Sequence, residues 1–310
     1  MNLIRTLDRS RRCEDALALT IGNFDGIHLG HQSLIKSVVD HAPGLTPALM
    51  CFEPLPMTLF RPQSPVPRLM GVRDRARICQ ALGIQRLFMP RFDRAFASMS
   101  PEDFVSKLVV GAAAARHVVV GHDFRFGHKA AGDVPLLVSL GKKHGFSVEV
   151  VDPVCRVGDK ISSSRIRQLL AQGFLDRAAV LLGRSYSLSG RVLHGQKLGR
   201  TLGFPTANIR PPLPPALQGV FAVRVSGCGL SGLPGMANLG CRPTVNGRAW
   251  LLEVHLFDYD GDLYGQHLNV EFLHRLRGEE KFDGLDAMTA QLARDADLAR
   301  QLLGSDAVTA

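Results

Sequence analysis

The feature that most restricts the fold of this chain is a change in the order of its apolar segments near residue 184. Before that point, short apolar runs that are typical of buried strands alternate with amphipathic patterns of helical period. These patterns predict strands at residues 16–21, 48–52, 86–89, 118–121 and 147–151, and helices at residues 29–41, 72–82, 101–110 and 135–144. Such alternation favours a parallel sheet with helices on both faces, and ligands beyond the carboxyl ends of its strands.

After residue 184, strand patterns follow one another and glycine and proline become frequent between them. Strands are predicted at residues 187–193, 220–226, 236–239, 250–257 and 267–273, which favours an antiparallel barrel or sandwich. A helix closes the chain, with an apolar stripe at helical spacing made of Leu285, Met288, Leu292, Ala296, Ala299 and Leu303. We therefore predict an α/β domain over residues 1–184 and a β domain over residues 185–310.

The composition is that of an ordinary globular protein, since 45% of the 310 residues are hydrophobic and 21% are charged. No apolar stretch reaches the roughly 18 residues that a membrane span needs, and the first residues lack the apolar core of a signal peptide. The six cysteines are scattered, with no spacing typical of a zinc knuckle or a redox pair. We expect a cytoplasmic protein that does not bind membranes.

The charge is unevenly distributed along the chain. Residues 1–184 hold 25 Lys+Arg against 16 Asp+Glu, giving +9, whereas residues 185–310 hold 12 of each, giving zero. A basic half suits either nucleic acid or small anionic substrates such as nucleotides. Because only 6% of the residues are aromatic, stacking platforms for single strands are few, and we predict no nucleic-acid partner.

The run from Gly22 to His31, Gly-Asn-Phe-Asp-Gly-Ile-His-Leu-Gly-His, follows a predicted strand and opens a predicted helix. Its three glycines permit positive φ and close approach of the backbone to a ligand, and a helix start attracts phosphate. His28 and His31 are three apart, so they would share a helix face and stabilise charge at an attacked α-phosphorus. The alternative is a packed turn with two incidental histidines, which the glycines disfavour. No third ligand is placed for zinc.

Two further runs support a nucleotide site in the first domain. Ile161–Arg167 places Ser163 and Ser164 at a helix start and Arg167 one turn later, which suits either a capped helix or phosphate binding. Gly121–Gly127 follows a strand end, and its Phe124 and Phe126 would either flank a flat ring or belong to the core.

A different chemistry is indicated after residue 194. Thr206 and Asn208 are two apart in an extended stretch, so both would offer hard oxygen ligands to Mg²⁺ on one side. Upstream, residues 194–200 form a glycine-rich loop with two cations, suited to covering phosphates. Glu253 lies in a predicted strand among largely apolar neighbours, where a carboxylate is either paired in a salt bridge or tuned to take a proton.

With these residues assembled, the chain resembles the bifunctional bacterial riboflavin kinase/FMN adenylyltransferase family, also called FAD synthetases. The similarity covers nearly the whole chain in the family's order. Its pieces are Gly-Asn-Phe-Asp-Gly-x-His-x-Gly-His at 22–31, Phe-Glu-Pro at 52–54, Asp-Phe-Arg-Phe-Gly at 123–127, Ile-Ser-Ser-Ser-x-Ile-Arg at 161–167, Leu-Leu-Gly-Arg at 181–184, Gly-Arg-x-Leu-Gly-Phe-Pro-Thr-Ala-Asn at 199–208, Asn-Leu-Gly-x-Arg-Pro-Thr at 238–244 and Glu-Val-His-Leu-Phe-Asp at 253–258.

The resemblance implies a Rossmann-like nucleotidyltransferase domain followed by a riboflavin-kinase β-barrel with a trailing helix. ATP would phosphorylate riboflavin to FMN, and a second ATP would adenylylate FMN to FAD with release of pyrophosphate, both with Mg²⁺. The partners would be these small molecules, and the chain would be a monomer or a weak homo-oligomer.

The resemblance also assigns roles to residues. Glu253 would take the proton of the ribityl 5′-hydroxyl, Thr206 and Asn208 would bind Mg·ATP, and His28 and His31 would steady the adenylyl-transfer transition state. The remaining ATP-binding residues would be Gly22, Asn23, Phe24, Asp25, Gly30, Asp123, Ser163, Ser164, Arg167, Gly195, Lys197 and Gly199. The flavin would contact Phe126 and Arg277.

The chain departs from the usual family pattern at Leu55, where a histidine is common, and at Ala130, where an arginine is common. These two positions support an alternative: a riboflavin kinase whose first domain binds nucleotide without adenylyl transfer. The second domain disfavours a cytidylyltransferase, and the low aromatic content disfavours a nucleic-acid binder. A flavin-sensing module, which would bind flavin tightly without turnover, is a further alternative.

Overall fold

A computed structural model describes residues 1–6, 15–40, 44–64, 66–156, 159–194, 203–244 and 247–306. By its internal contacts the chain forms two compact units, residues 1–66 with 72–162, and residues 67–71 with 163–310. This division concerns packing, and the boundary between two activities at residue 184 stays a prediction. None of the described helices is long and apolar enough to span a membrane.

The first unit is built on a six-stranded parallel sheet in the order β1-β4-β3-β2-β5-β6. All five residues of the second strand are buried, which is why the strand is apolar in sequence apart from Thr20. The short edge strand at the amino terminus was not predicted, since three residues are too few to show a period. The strands are β1 (Asn2–Ile4), β2 (Leu17–Ile21), β3 (Thr46–Met50), β4 (Arg86–Phe88), β5 (Ala115–Gly121) and β6 (Ser147–Val151).

Helices connect these strands, as the alternation of patterns predicts. The stretch predicted as one helix over residues 101–110 is a short α-helix that continues as a π-helix, Phe104–Ala112. Apolar spacing does not distinguish these two windings, because both bury one stripe of the segment. The helices of this unit are α1 (Leu29–Asp40), α2 (Pro56–Phe60), α3 (Val72–Ala81), α4 (Arg94–Ala97), α5 (Pro101–Asp103) and α6 (Val134–His144). A small hairpin, β7 (Cys155–Arg156) and β8 (Asp159–Lys160), follows the sheet.

The second unit contains a closed antiparallel barrel, in the order β10-β13-β12-β11-β14-β9. Closure decides between the barrel and the sandwich that the strand patterns left open. Its strands are β9 (Tyr186–Leu193), β10 (Ala207–Ile209), β11 (Gly219–Gly227), β12 (Leu230–Thr244), β13 (Gly247–Leu256) and β14 (His267–Arg277). Two helices, α7 (Ser163–Ala171) and α8 (Leu175–Leu182), precede the barrel in this unit.

The closing helix, α9 (Leu285–Asp306), packs on the barrel through the later part of its apolar stripe. Ala296, Ala299 and Leu303 are buried, whereas Leu285 is 57% exposed. The apolar stripe predicted for this helix is therefore buried along its later part and exposed at Leu285. Spacing places a residue on a face, but it does not show where along the helix the partner surface begins.

The segment 67–71 packs within the second unit although it lies early in the chain. The Arg68 N–H donates to the Pro214 carbonyl at 2.8 Å, and Arg68 forms a bridge with Pro215. Arg167 Nε of α7 donates to the Pro67 carbonyl at 2.7 Å. This short segment thus contacts both α7 and the proline-rich loop at residues 211–215, which lies between β10 and β11.

Candidate active sites

The loop between β2 and α1 is held by its backbone and mostly buried. The Gly22 N–H donates to the Met50 carbonyl at 3.0 Å, and Phe24, Asp25 and Ile27 are each at most 1% exposed. Phe24 and Ile27 adopt left-handed φ values of 46° and 41°. Non-glycine residues in that region cost about 1–3 kcal/mol each and cluster at functional sites.

The glycines of this loop do not all have the positive φ that the sequence analysis allowed for them. Gly26 has a φ of 92°, but Gly22 and Gly30 do not lie in the left-handed region. Instead, a Cβ at Gly22 would stand 3.2 Å from the Phe24 ring, and one at Gly30 would stand 3.3 Å from the His28 ring. These two glycines make room for neighbouring rings rather than supply unusual backbone angles.

His28 stands at the cap that precedes α1 rather than inside the helix, and its ring still lies on the same side as that of His31. The backbone N–H of His31 donates to His28 Nδ1 at 3.2 Å. A ring nitrogen that accepts carries no proton, so the imidazole of His28 has its proton on Nε2. The cap fixes the ring and presents it as a hydrogen-bond donor through Nε2.

The His31 ring stacks on that of His28, with centroids 3.6 Å apart and an interplanar angle of 14°. The Phe24 ring lies 4.9 Å from it on another side. Burial, followed by electrostatic interactions with His28 and Arg75, holds the pKa of His31 well below its ordinary value. His31 is therefore neutral at physiological pH, and its buried Nδ1 has no partner among the described residues.

Sequence reasoning missed a buried cation in this unit, Arg75 of α3, which is fully buried. Its Nη1 lies 3.4 Å from Cys51 Sγ and 3.5 Å from Glu53 Oε2. Burial alone would lower the pKa of Arg75, but Cys51, Asp25 and Glu53 raise it, so the guanidinium keeps its charge. No sequence signal marks it, because its partners follow β3 rather than neighbouring α3.

The run after β5 is fixed by an ion pair and by a stack of two aromatic rings. Asp123 Oδ2 accepts from Lys160 Nζ at 2.8 Å, and this hydrogen bond lowers the pKa of Asp123. Phe124 and Phe126 stack on each other at 5.5 Å and 16°. That spacing leaves no room for a third ring, since two stacking distances of roughly 3.5 Å would be needed. The two rings therefore do not hold a flat ring between them, and Phe126 is 5% exposed, which fits the alternative that it belongs to the core. A flavin contact for Phe126 stays a prediction.

Ser163 and Ser164 are the first two residues of α7, in the second compact unit. Arg167 follows one turn later, where its Nε is bonded to the Pro67 carbonyl. These residues stay predicted phosphate ligands.

In the barrel, three polar residues face one another across three neighbouring strands. Asn208 of β10 is opposite Glu253 of β13, which is opposite Asn238 of β12. Directly opposed residues share a face of the sheet, and the row is half-buried, whereas Leu252 and Val254, beside Glu253, are fully buried. The apolar neighbours predicted for Glu253 are those along its own strand, whereas across the strands its neighbours are two amides.

Glu253 forms a salt bridge, which is one of the two states that the sequence analysis left open for it. Arg242 of β12 forms an ion pair with Glu253 through Nη2 and Oε2. Asn238 Nδ2 donates to the same oxygen at 3.4 Å. Among the described residues, Glu253 Oε1 has no partner. Arg242 and Asn238 lie in a motif noted in the sequence, but spacing gave neither of them a role.

The segment before β10 is anchored to the same strand as Glu253. His255 Nδ1 donates to the Pro205 carbonyl at 2.9 Å, and the His255 ring meets Phe204 edge-on at 5.2 Å. Asn208 Nδ2 donates to the Thr206 carbonyl at 3.4 Å, which leaves its Oδ1 unengaged in the described part of the chain. Thr206 therefore lies two residues from Asn208, which is itself a member of the Glu253 row. The loop residues predicted to bind ATP, Gly195, Lys197 and Gly199, are outside the described residues.

Arg277, predicted to contact a flavin, is engaged by α9. Its Nη2 lies 2.7 Å from Oδ2 of Asp295, a carboxylate that is 3% exposed, and its Nη1 donates to the Gly278 carbonyl at 3.0 Å. The sequence did not indicate Asp295 as a partner. A flavin contact for Arg277 stays a prediction.

Known proteins resemble this chain over both units. A family model described as FAD synthetase matches residues 10–165, and one described as Riboflavin kinase matches residues 182–303. The bifunctional riboflavin kinase/FMN adenylyltransferase of Escherichia coli K12 is 42% identical over 98% of each chain. That of Haemophilus influenzae is 40% identical over 98% of this chain and all of its own.

A solved structure has the same architecture. The crystal structure titled macrolide-efflux protein from Streptococcus pneumoniae matches 96% of this chain and 98% of its own, with a TM-score of 0.81 and 30% identity.

Proposed function

The chain belongs to the bifunctional riboflavin kinase/FMN adenylyltransferase family, and we propose that it makes FAD in two ATP-dependent steps. Riboflavin is first phosphorylated to FMN, and FMN is then adenylylated to FAD with release of pyrophosphate. The observation that carries this proposal is the presence of two family models in succession on one chain, each covering one candidate site. We assign residues 1–184 to adenylyl transfer and residues 185–310 to the kinase.

In the kinase step Glu253 is the base. Its Oε1 accepts the proton of the ribityl 5′-hydroxyl while the hydroxyl oxygen forms a bond to the γ-phosphorus of ATP. The bond from that phosphorus to the bridging oxygen breaks, and ADP leaves with the electron pair. Support comes from the half-buried position of Glu253 beside Thr206 and Asn208, and from an oxygen without a partner in the described structure.

The donors beside Glu253 suit Mg²⁺ held together with ATP phosphates. The Thr206 hydroxyl and the unengaged Oδ1 of Asn208 are hard oxygen ligands. Within the described ranges no three His, Cys, Asp or Glu residues cluster, so the donor set fits an ion that keeps waters and phosphate oxygens. When bound, Mg²⁺ would neutralise charge on the phosphates.

The adenylyl-transfer step needs no nucleophilic side chain. An oxygen of the FMN phosphate forms a bond to the α-phosphorus of ATP, and the bond to pyrophosphate breaks. His28, with its proton on Nε2, donates a hydrogen bond to the charge that develops on the α-phosphate. The neutral ring of His31, stacked on it, holds it in place and contributes a second donor.

The test is product analysis by chromatography. Purified protein would be incubated with riboflavin, ATP and Mg²⁺, and separately with FMN, ATP and Mg²⁺. We expect FMN and FAD from the first mixture and FAD from the second. FMN alone from the first, with nothing from the second, would establish the kinase-only alternative, whereas no product in either mixture would refute the proposal.

The kinase-only alternative depends on two departures from the family pattern, Leu55 and Ala130. Leu55 is 3% exposed, so it is a core residue here. Ala130 and the preceding Lys129 have left-handed φ values of 57° and 52°. The cytoplasmic location, the oligomeric state and the absence of nucleic-acid binding remain predictions from the sequence.

A further inference from the structure

We propose that Arg242 and Asn238 are positioning residues of the kinase: they hold one oxygen of the Glu253 carboxylate and reserve the other for the substrate hydroxyl. The proposal rests on the proposed function, because it presupposes that Glu253 is the base. It adds two residues to which neither the sequence pattern nor the site chemistry had given a role.

The argument begins with the register of the barrel. Asn238 and Glu253 are directly opposed on β12 and β13, so the contact between their side chains is set by backbone pairing. Arg242 lies four residues further along β12, opposite Ala249. Because side chains alternate along a strand, residues 238 and 242 share the face that carries Glu253.

Both donors meet the same carboxylate oxygen. Arg242 Nη2 and Asn238 Nδ2 each contact Oε2 of Glu253. A glutamate restrained at one oxygen loses the freedom to rotate its carboxylate, so the position of Oε1 is defined as well. Among the described residues Oε1 has no other partner, and it is the oxygen left for an incoming hydroxyl.

The chemistry of the two partners also assigns the proton to Oε1. The guanidinium and the amide N–H group both donate to Oε2, and neither can accept a hydrogen bond in return. A proton on Oε2 would therefore face two donor hydrogens, whereas Oε1 is open to a proton. The Asn238 amide is oriented by this contact, because its carbonyl oxygen would be repelled by the carboxylate. The Oδ1 atom of Asn238 is buried without a partner in the described structure, so the amide is not held by a competing bond on that side.

A purely architectural role makes different predictions. The Arg242 side chain is 58% exposed, and exposed ion pairs contribute little to folding stability. If the pair only joined β12 to β13, its removal would leave kcat unchanged. If it positions the base, kcat falls while folding and substrate affinity are kept.

The experiment compares kinetics of riboflavin phosphorylation in full-length Arg242→Gln, Arg242→Lys, Asn238→Ala and Glu253→Gln proteins. Arg300→Gln is the matched control, because Arg300 forms an exposed ion pair with Asp258 of the same unit. FMN-to-FAD conversion and the thermal midpoint are measured on each variant, so loss of folding is detected independently.

We expect Arg242→Gln and Asn238→Ala each to lower kinase kcat about 10- to 100-fold, less than the roughly 10²–10⁴-fold effect of losing the base. KM for ATP should change less than about twofold, and Arg242→Lys should recover part of the loss because it restores one charged donor. FAD formation from FMN and the control should be unaffected.

Unchanged kcat in Arg242→Gln and Asn238→Ala, with Glu253→Gln inactive, would overturn this proposal and leave the proposed function standing. Full kinase activity in Glu253→Gln would instead refute the assignment of the base. If Arg242→Gln did not fold, the Arg242→Lys and Asn238→Ala proteins would decide: wild-type kcat in both would refute positioning, and a selective loss of kcat would support it.

Discussion

His31 is packed so that its ring stays uncharged. The ring lies against those of His28 and Phe24, and the buried Arg75 guanidinium adds an unfavourable positive charge nearby. A proton on His31 would be disfavoured by the loss of water on burial and by the positive charge of Arg75. At the residue scale, the packing of this loop thus keeps the imidazole of His31 neutral.

This packing predicts a pH dependence of stability. Because the pKa of His31 is lowered in the folded state, below about pH 6.5 the unfolded chain binds a proton that the folded chain does not. The free energy of unfolding should therefore fall as the pH drops from about 7 to 5, with a slope from this residue of at most about 1.4 kcal/mol per pH unit. Urea unfolding of wild type and His31→Gln across that range measures it, and identical slopes would contradict the prediction.

Single residues were predictable where the chemistry is local in sequence. Glycines and histidines of residues 22–31 form one contiguous run, and Thr206 and Asn208 are two apart. Arg75 and Arg242 were not predictable, because the groups that give them a role, Cys51 and Glu53 for one and Glu253 for the other, come from different elements. Periodicity shows which face a side chain occupies but not what it meets.

At the scale of elements, α9 illustrates how a helix docks over only part of its length. Its last turns are secured by burial of Ala299 and Leu303, by Arg224 Nη2 donating to the Leu303 carbonyl at 3.1 Å, and by the Arg300–Asp258 pair. Its first turn presents Leu285 to solvent. Apolar residues of one stripe therefore differ in how much they contribute to holding the helix on the barrel.

Two leucines of α9 give a matched comparison. Leu303 is 4% exposed, so Leu303→Ala should lower the free energy of unfolding by about 2–5 kcal/mol through lost burial and a cavity. Leu285 is 57% exposed, and Leu285→Ala should change stability by less than about 0.5 kcal/mol. Urea unfolding measures both. Equal effects would mean that the burial of α9 is not what holds it.

Five of the six strands of the parallel sheet, β2 to β6, were predicted within a few residues, because parallel strands inside a sheet form mostly apolar runs. β12 was predicted only at residues 236–239, whereas it extends over Leu230–Thr244. Gly232, Pro234, Gly235, Gly240 and Pro243 hide its period of two in the sequence. Pairing with β11 on one side and β13 on the other maintains the strand despite those residues.

At the scale of the whole molecule, two chemistries share one chain while each proposed catalytic residue is held by contacts inside one compact unit. His28 is fixed by the backbone of α1, and Glu253 by β12 and β13. The change of pattern near residue 184 predicted two domains. It did not predict that residues 67–71 would pack with the second unit, since nothing local marks that segment.

The separate support of the two residues predicts complementation between full-length variants. Glu253→Gln should convert FMN to FAD but not riboflavin to FMN, and His28→Ala should do the reverse. Mixed with riboflavin, ATP and Mg²⁺, the two proteins should produce FAD after a lag while free FMN accumulates. Chromatography over time measures this. Loss of both activities in one folded variant would contradict the two-site arrangement, and no FAD from the mixture would show that FMN is not released.

The docking of residues 67–71 has a consequence for chimaeras between members of the family. A single crossover near residue 163 would take this segment from one parent and its partners, Pro214, Pro215 and Arg167, from the other. Recombination would then join surfaces that were never selected together. To exchange the second unit intact, both residues 67–71 and residues 163–310 must come from the same parent. A chimaera made with one crossover cannot meet this condition without also exchanging most of the first unit.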